Sequence, residues 1–146
     1  MKKFFFAFFS VFAIDQIIKL IFLSGFTLKT KCISLIMVLN KGVAFSMFSF
    51  LGKNLKYIQL ALIIGLLIYF IKEKIFSKHP ILSGILFAAA FSNLLDRFLR
   101  GGVVDYVYWH CGFKFAIFNF ADVMIDFSIL GFAYFYFLKK NDKISI

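Results

Sequence analysis

Four stretches of this chain, at about residues 4–23, 55–71, 81–99 and 115–138, are strongly apolar and nearly free of charge. They decide what the chain can fold into. About 20 apolar residues rising 1.5 Å each cross a hydrocarbon core about 30 Å thick, and the second stretch is near the short limit. Inside that core water cannot satisfy backbone N–H and C=O groups, so each stretch is predicted as a helix. The apolar share of 62% lies well above the roughly 45–50% of soluble domains. The expectation is an all-α membrane protein with four transmembrane helices. Residues 1–146 then form a single integral membrane domain, with no room for a separate soluble one.

An even number of spans puts both termini on one side. Basic residues divide almost evenly between the two sides, but Lys2, Lys3, Lys72, Lys74, Lys78, Lys139, Lys140 and Lys143 crowd membrane ends in short segments, where the positive-inside bias acts. Both termini are therefore expected in the cytoplasm. The net charge of +10 reads as anchoring to anionic lipid, and its scatter over both sides argues against a nucleic-acid surface. The opening MKKFFFAFFSVFAI has the look of a secretory signal, yet no A-x-A site follows and the apolar run continues to Leu23, so an uncleaved first span is expected. Cys32 and Cys111 both fall in outer loops, and whether they bridge stays open. His79 and His110 fall on opposite sides, which disfavours a structural zinc or a metalloprotease; no metal or other cofactor is expected. Neither a glycine-rich phosphate loop nor a G-x-S-x-G elbow is present.

Ionisable residues at membrane depth are costly and are functional candidates by default. Asp15 and Lys19, four apart in the first span, are expected to neutralise each other as a structural ion pair. Asn93, Asp96 and Arg97 make one stripe near the outer end of the third span, where they either satisfy loop backbone groups or, in the case of Arg97, grip a substrate carbonyl. Asn119, Asp122 and Asp126 share a face of the fourth span. Counted from the start of that span, Asp122 lies about 10 Å along the helix, below the surface yet within reach of water. No cation follows in that span before Lys139, which favours a functional role.

Gly101-Gly102 should end the third helix, and Val103, Val104, Tyr106, Val107, Tyr108 and Trp109 favour an extended return along the interface. Asp105 then sits at the bundle mouth, where it could meet Asp122; the plainer alternative is a solvated loop aspartate. The first outer loop is long for so small a protein. In its segment LNKGVAFSMF, Asn40 and Gly42 suit a turn and Phe45, Phe48 and Phe50 could dip into the interface, as a platform or lid.

Five blocks together resemble lipoprotein signal peptidase, also called signal peptidase II: Asp15-Gln16 with Lys19, Asn40-Lys41-Gly42-Val43-Ala44-Phe45-Ser46, Asn93-Leu94-Leu95-Asp96-Arg97, Gly102-Val103-Val104-Asp105-Tyr106, and Phe118-Asn119-Phe120-Ala121-Asp122. Their order, spacing and the four-span layout agree over nearly the whole chain. The resemblance implies an aspartyl endopeptidase of the bacterial cytoplasmic membrane that removes signal peptides from diacylglyceryl-modified prolipoproteins, cutting before the lipidated cysteine. It places Asp105 and Asp122 on the catalytic pair. Asn40, Asn93, Arg97 and Asn119 fall on positions that line the substrate cleft or hold the pair, and Asp15, Lys19 and Asp96 on structural ones. The resemblance also implies a small extracytoplasmic β-rich loop region, with short strands around residues 29–48. The chain departs from the pattern at Ala88-Ala89-Ala90-Phe91-Ser92, where the family usually has glycines, and at Ala116, where it usually has proline. Asp126 matches no signature position; it is expected either to pair with a cation such as Lys19 or to be held protonated by burial.

Two carboxylates sharing one proton can do both jobs of amide hydrolysis, one activating water while the other polarises the carbonyl and protonates the leaving amine. A small four-span proton-coupled transporter would also place acids inside a bundle, but it gives no reason for Asp105 or for the Asn40 block. A non-catalytic scaffold would tolerate loss of both acids.

Overall fold

The computed structural model describes residues 1–42, 52, 54–113 and 115–142. The expectations for Phe45, Phe48 and Phe50, and for the loop as a lid, lie outside the described residues. In chain order the elements are α1 (Lys2–Leu23), β1 (Leu28–Lys29), β2 (Ile33–Asn40), α2 (Leu55–Lys72), the short α3 (Ile75–Lys78), α4 (Pro80–Leu99), β3 (Val103–Trp109) and α5 (Phe120–Asp142). Four of the helices, α1, α2, α4 and the Phe120–Leu138 part of α5, are long and apolar enough to cross a membrane. Their outer faces carry exposed Phe6, Phe9, Ile71, Leu130 and Phe137, which suits contact with lipid.

Helix α4 is the centre of the bundle, with α1, α5 and α2 packed against it. It can be approached closely because its inner face is small. A Cβ added to Gly84 would come within 2.5 Å of the Phe4 carbonyl oxygen, so the α1–α4 contact there requires glycine. Ala88 and Ala89 are fully buried against Val11 and Ala121. These alanines keep the backbones close, as small residues do between membrane helices. Towards the α2–α4 connection, Phe70, Phe76 and Phe87 pack as an aromatic cluster with ring centroids 5.3–5.5 Å apart.

The three strands form one antiparallel sheet in the order β1-β2-β3. Lying at the end of the bundle where α1 ends and α5 begins, it matches the expected β-rich region as far as Asn40. Gly101, with φ +75°, stops α4 in the left-handed conformation that glycine tolerates and turns the chain into β3. Gly102 then passes so near Asn40 that a Cβ would meet its carbonyl oxygen at 2.9 Å. Cys32 and Cys111 form a disulfide that ties the start of β2 to the segment after β3.

One boundary differs from the sequence expectation. The fourth apolar stretch was expected to be helical from residue 115, but α5 begins at Phe120. The cause is a competing use of the backbone: Phe118 exchanges hydrogen bonds with Val107 at 2.9 and 3.1 Å and also accepts from the Tyr106 N–H. Residues 115–119 are thereby laid beside β3, and Asp122 falls in the first turn of its helix instead of about 10 Å along it.

Candidate active site

Sheet register and helix caps bring the two aspartates together. Asn40 pairs with Val103 and Val38 with Asp105, so Asn40 and Asp105 are diagonal neighbours on one face of the β2–β3 ladder. The Asn40 side-chain amide donates to Asp105 Oδ2 at 2.8 Å, while its own carbonyl accepts from the Gly42 N–H at 2.9 Å. Asp105 is only 2% exposed. It is a buried strand residue, and the solvated-loop alternative is excluded.

Asp122 is held by the start of its own helix. Asn119 is the N-cap residue: its Oδ1 accepts from the Asp122 N–H at 2.9 Å, and Asp122 Oδ2 accepts from the Asn119 N–H at 3.1 Å. This reciprocal pair is a capping box built from Asn and Asp, and it places a carboxylate where the helix dipole favours negative charge. The other oxygen, Oδ1, accepts from Asn93 Nδ2 at 2.8 Å. Asn119 also donates through Nδ2 to Asp105 Oδ1 at 2.7 Å and, at 3.2 Å, to Asn93 Oδ1. A single fully buried side chain therefore touches both acids and the residue between them.

Behind this layer lies a buried ionic cluster. Lys19 is fully buried and contacts Asp15 Oδ2 at 2.6 Å, Asp96 Oδ2 at 2.8 Å and Asn93 Oδ1 at 2.8 Å. The expected Asp15–Lys19 pair is present, and it extends to α4. Asp15 also accepts from Ser92 Oγ at 2.6 Å and from the Ala121 N–H at 2.9 Å, which fixes the first turn of α5. Asp96 accepts from the Val104 N–H at 3.1 Å, from Gln16 at 3.1 Å and from Arg100. The cluster thus sets the heights of α5 and β3 on α4, the two elements that carry Asp122 and Asp105.

A cavity of about 450 Å³ opens in front of the acids, between α2 and α5 with α4 behind. Asn40, Gln59, Asn93, Arg97, Asp105, Asp122 and Asp126 supply its polar lining, while Leu55, Ile58, Leu62 and Ile125 make it otherwise apolar. Five of the six residues singled out from the sequence face this cavity; Asn119 lies behind it. Arg97 donates through Nη2 to the Gly42 carbonyl at 2.5 Å, and its buried Nε has no hydrogen-bond partner among the described residues. Asp126 differs from both expectations. It is exposed, not buried, and Lys19 is committed to Asp15, Asp96 and Asn93. The sequence reading named Gln16 and Ser92 but gave neither a role; Ser92 sits one position before Asn93 and so falls on the α1-facing side of α4.

Burial pushes the Asp105 carboxyl up to about 6, and the charge of Asp122 acts in the same direction. The amides of Asn40 and Asn119 and the Lys19 ammonium oppose the shift. In formal charge, Lys19, Arg97 and Arg100 face Asp15, Asp96, Asp105 and Asp122. One proton held by the Asp105–Asp122 pair would make the assembly neutral.

The family model described as signal peptidase (SPase) II matches residues 7–138. The chain is 52% identical over 140 residues to the lipoprotein signal peptidase of Helicobacter pylori (strain P12), covering 94% of this chain and 89% of that one. It is 54% identical over 132 residues to the lipoprotein signal peptidase of Wolinella succinogenes, covering 90% of each. Among solved structures, a bacterial membrane enzyme determined by the in meso method at 2.3 Å resolution superposes with a TM-score of 0.79 at 24% identity, covering 98% of this chain and 92% of that one. That likeness concerns the fold.

Proposed function

The chain belongs to the signal peptidase II family, and on that premise we propose that it is a bacterial multi-pass membrane peptidase of aspartyl type, with Asp105 and Asp122 as the catalytic pair. It removes signal peptides from prolipoproteins. The observation that carries the aspartyl assignment is the Asn119 bridge, which binds one oxygen of each carboxylate in a cavity open to substrate.

The pair shares one proton and titrates as a unit. The ionised carboxylate takes a proton from an attacking water; the protonated one hydrogen-bonds the scissile carbonyl and then protonates the leaving amine. Asn40, Asn93 and Asn119 hold the carboxylate oxygens, so little reorganisation accompanies the reaction. Arg97, which lines the cavity and whose Nε has no partner among the described residues, supplies a donor for a substrate backbone carbonyl.

The apolar walls from α2 and α5 suit a signal peptide that stays in the bilayer while a diacylglyceryl group on the cysteine after the cut holds the bond at this depth. The active end is assigned to the outer face and the termini to the cytoplasm. The Cys32–Cys111 disulfide supports this, since such bonds persist in oxidising compartments, as do the lysines at the inner ends. The proton-coupled transporter alternative has no support from the family match and leaves the buried Asp105 on a strand without a purpose.

The test is a gel-shift assay with purified full-length protein and a precursor peptide, with and without diacylglycerol on its cysteine. The reading expects release of the signal peptide from the lipidated form and little from the bare one. Equal cleavage of both would remove the lipid-anchoring argument, and cleavage of neither would remove the peptidase assignment.

A further inference from the structure

Asp126 is not used by the chemistry described above. It projects from α5 into the same cavity as the catalytic pair, yet no cation, hydrogen-bond donor or cap contacts it among the described residues. On an apolar helix that crosses the membrane, a carboxylate without a partner is unfavourable unless something bound there supplies one. A second residue with an unengaged acceptor, Gln59, lines the same cavity. Gln59 on α2 spends its Nε2 on the Ala90 carbonyl at 3.4 Å, which leaves Oε1 buried and without a donor among the described residues. The cavity wall thus carries two acceptors, Asp126 and Gln59, that no donor engages among the described residues, while Ile58, Leu62 and Ile125 beside them in the lining are apolar.

We propose that Asp126, assisted by Gln59, forms a specificity subsite that accepts a hydrogen bond from a hydroxyl side chain of the signal peptide, about two residues before the cleaved bond. The position follows from geometry. Four residues separate Asp126 from Asp122 along α5, about 6 Å at 1.5 Å per residue, and an extended peptide advances about 3.3 Å per residue. The direction follows from solubility: α5 runs from the sheet into the bundle, and the signal peptide is the part of the substrate that remains on the apolar side. The chemistry follows from the cost of entry. A lysine or an amide side chain is expensive at this depth, whereas serine and threonine bring a donor at small cost. A threonine here gives Asp126 its missing donor; a valine of the same shape leaves the carboxylate desolvated and unpaired.

This inference rests on the peptidase reading, and the experiment separates the two. Full-length protein is assayed with two diacylated precursor peptides that differ only in threonine or valine at the second position before the cut, using the wild type, Asp126→Asn, Asp126→Leu and Gln59→Leu. Both peptides meet the same preparation, so the ratio of their kcat/KM values is independent of the fraction of enzyme that folds. The wild type is expected to favour threonine by about 10-fold or more. Asp126→Leu should bring the ratio near one, with Asp126→Asn and Gln59→Leu between. A wild-type ratio near one overturns the subsite but not the peptidase, as does a ratio that Asp126→Leu leaves unchanged, or an equal fall for both peptides. Failure of the wild type to cut either peptide overturns both.

Discussion

Asn119 and Asp122 cap one another: each backbone N–H donates to the other's side-chain oxygen, at 2.9 and 3.1 Å. The remaining amide of Asn119 reaches Asp105 at 2.7 Å. Helix initiation and the placing of two acids thus depend on one side chain, fully buried and contributed by the last residue before α5.

Replacing Asn119 should therefore affect stability and rate separately. Asn119→Ala removes the cap, at a cost of about 1 kcal/mol, and releases one oxygen of Asp105. Asn119→Ser retains a capping oxygen but cannot reach Asp105 with an amide. Thermal unfolding in detergent should show Asn119→Ser recovering much of the lost stability, while kcat stays depressed by about 10-fold or more in both variants. Full recovery of kcat in the serine variant would mean that the bridge to Asp105 is dispensable.

The Lys19 cluster makes a different prediction. Lys19→Met leaves Asp15 and Asp96 buried without their shared cation, and breaking such a buried pair costs about 3–5 kcal/mol. The variant is expected to unfold at a clearly lower temperature and to lose activity with its structure. Combining Lys19→Met with Asp15→Asn should restore part of the stability. Purified protein followed by thermal unfolding reads both effects.

The pH dependence follows from Asp105. Its carboxyl is raised to about 6, chiefly by burial, so the pair keeps its shared proton on the acidic side of neutrality. Because the folded-state value lies above that of an exposed carboxylate, the proton is lost as pH rises through about 6. In the plot of kcat/KM for a lipidated peptide the alkaline limb should then fall, approaching about 10-fold per unit well above that value. A flat profile from pH 6 to 9 would contradict a shared catalytic proton.

The Cys32–Cys111 bridge closes a large loop containing β2, α2, α4 and β3. Its removal should destabilise the sheet end by about 2–4 kcal/mol. Cys32→Ser, or reduction of the wild type, is expected to lower the unfolding temperature, and an alkylating reagent should label neither cysteine before reduction. Free labelling of native protein from the outer side would contradict the bridge.

Much of this was legible in the sequence, for reasons that can be traced to particular residues. Charge-poor runs locate the spans because lipid imposes helix on them. The spacing of Asp15 and Lys19 announces their pair, and Gly101-Gly102 followed by β-branched and aromatic residues announces the turn into β3. What a one-dimensional reading could not supply is long-range pairing. Phe115 to Phe118 are as apolar as the helix that follows, yet Phe118 is drawn to Val107 and Tyr106, which moves the start of α5 and turns Asp122 into a capping residue. Lys19 lies near Asp126 in no sequence sense, and its choice of Asp96 and Asn93 depends on how α1 meets α4 through Gly84 and the alanines. The disulfide likewise depends on register, which brings Ile33 opposite Trp109 and so Cys32 beside the end of β3.

The central claim is that Asp105 and Asp122 act as one acid–base unit. It is tested most directly by cleavage of a diacylated precursor peptide by wild type, Asp105→Asn, Asp122→Asn and the double variant, each first shown to be folded by its thermal transition. The account predicts that each single variant loses at least about 10³-fold in kcat and that the double variant loses little more, as for residues acting together. Near-wild-type turnover by either folded single variant would contradict it.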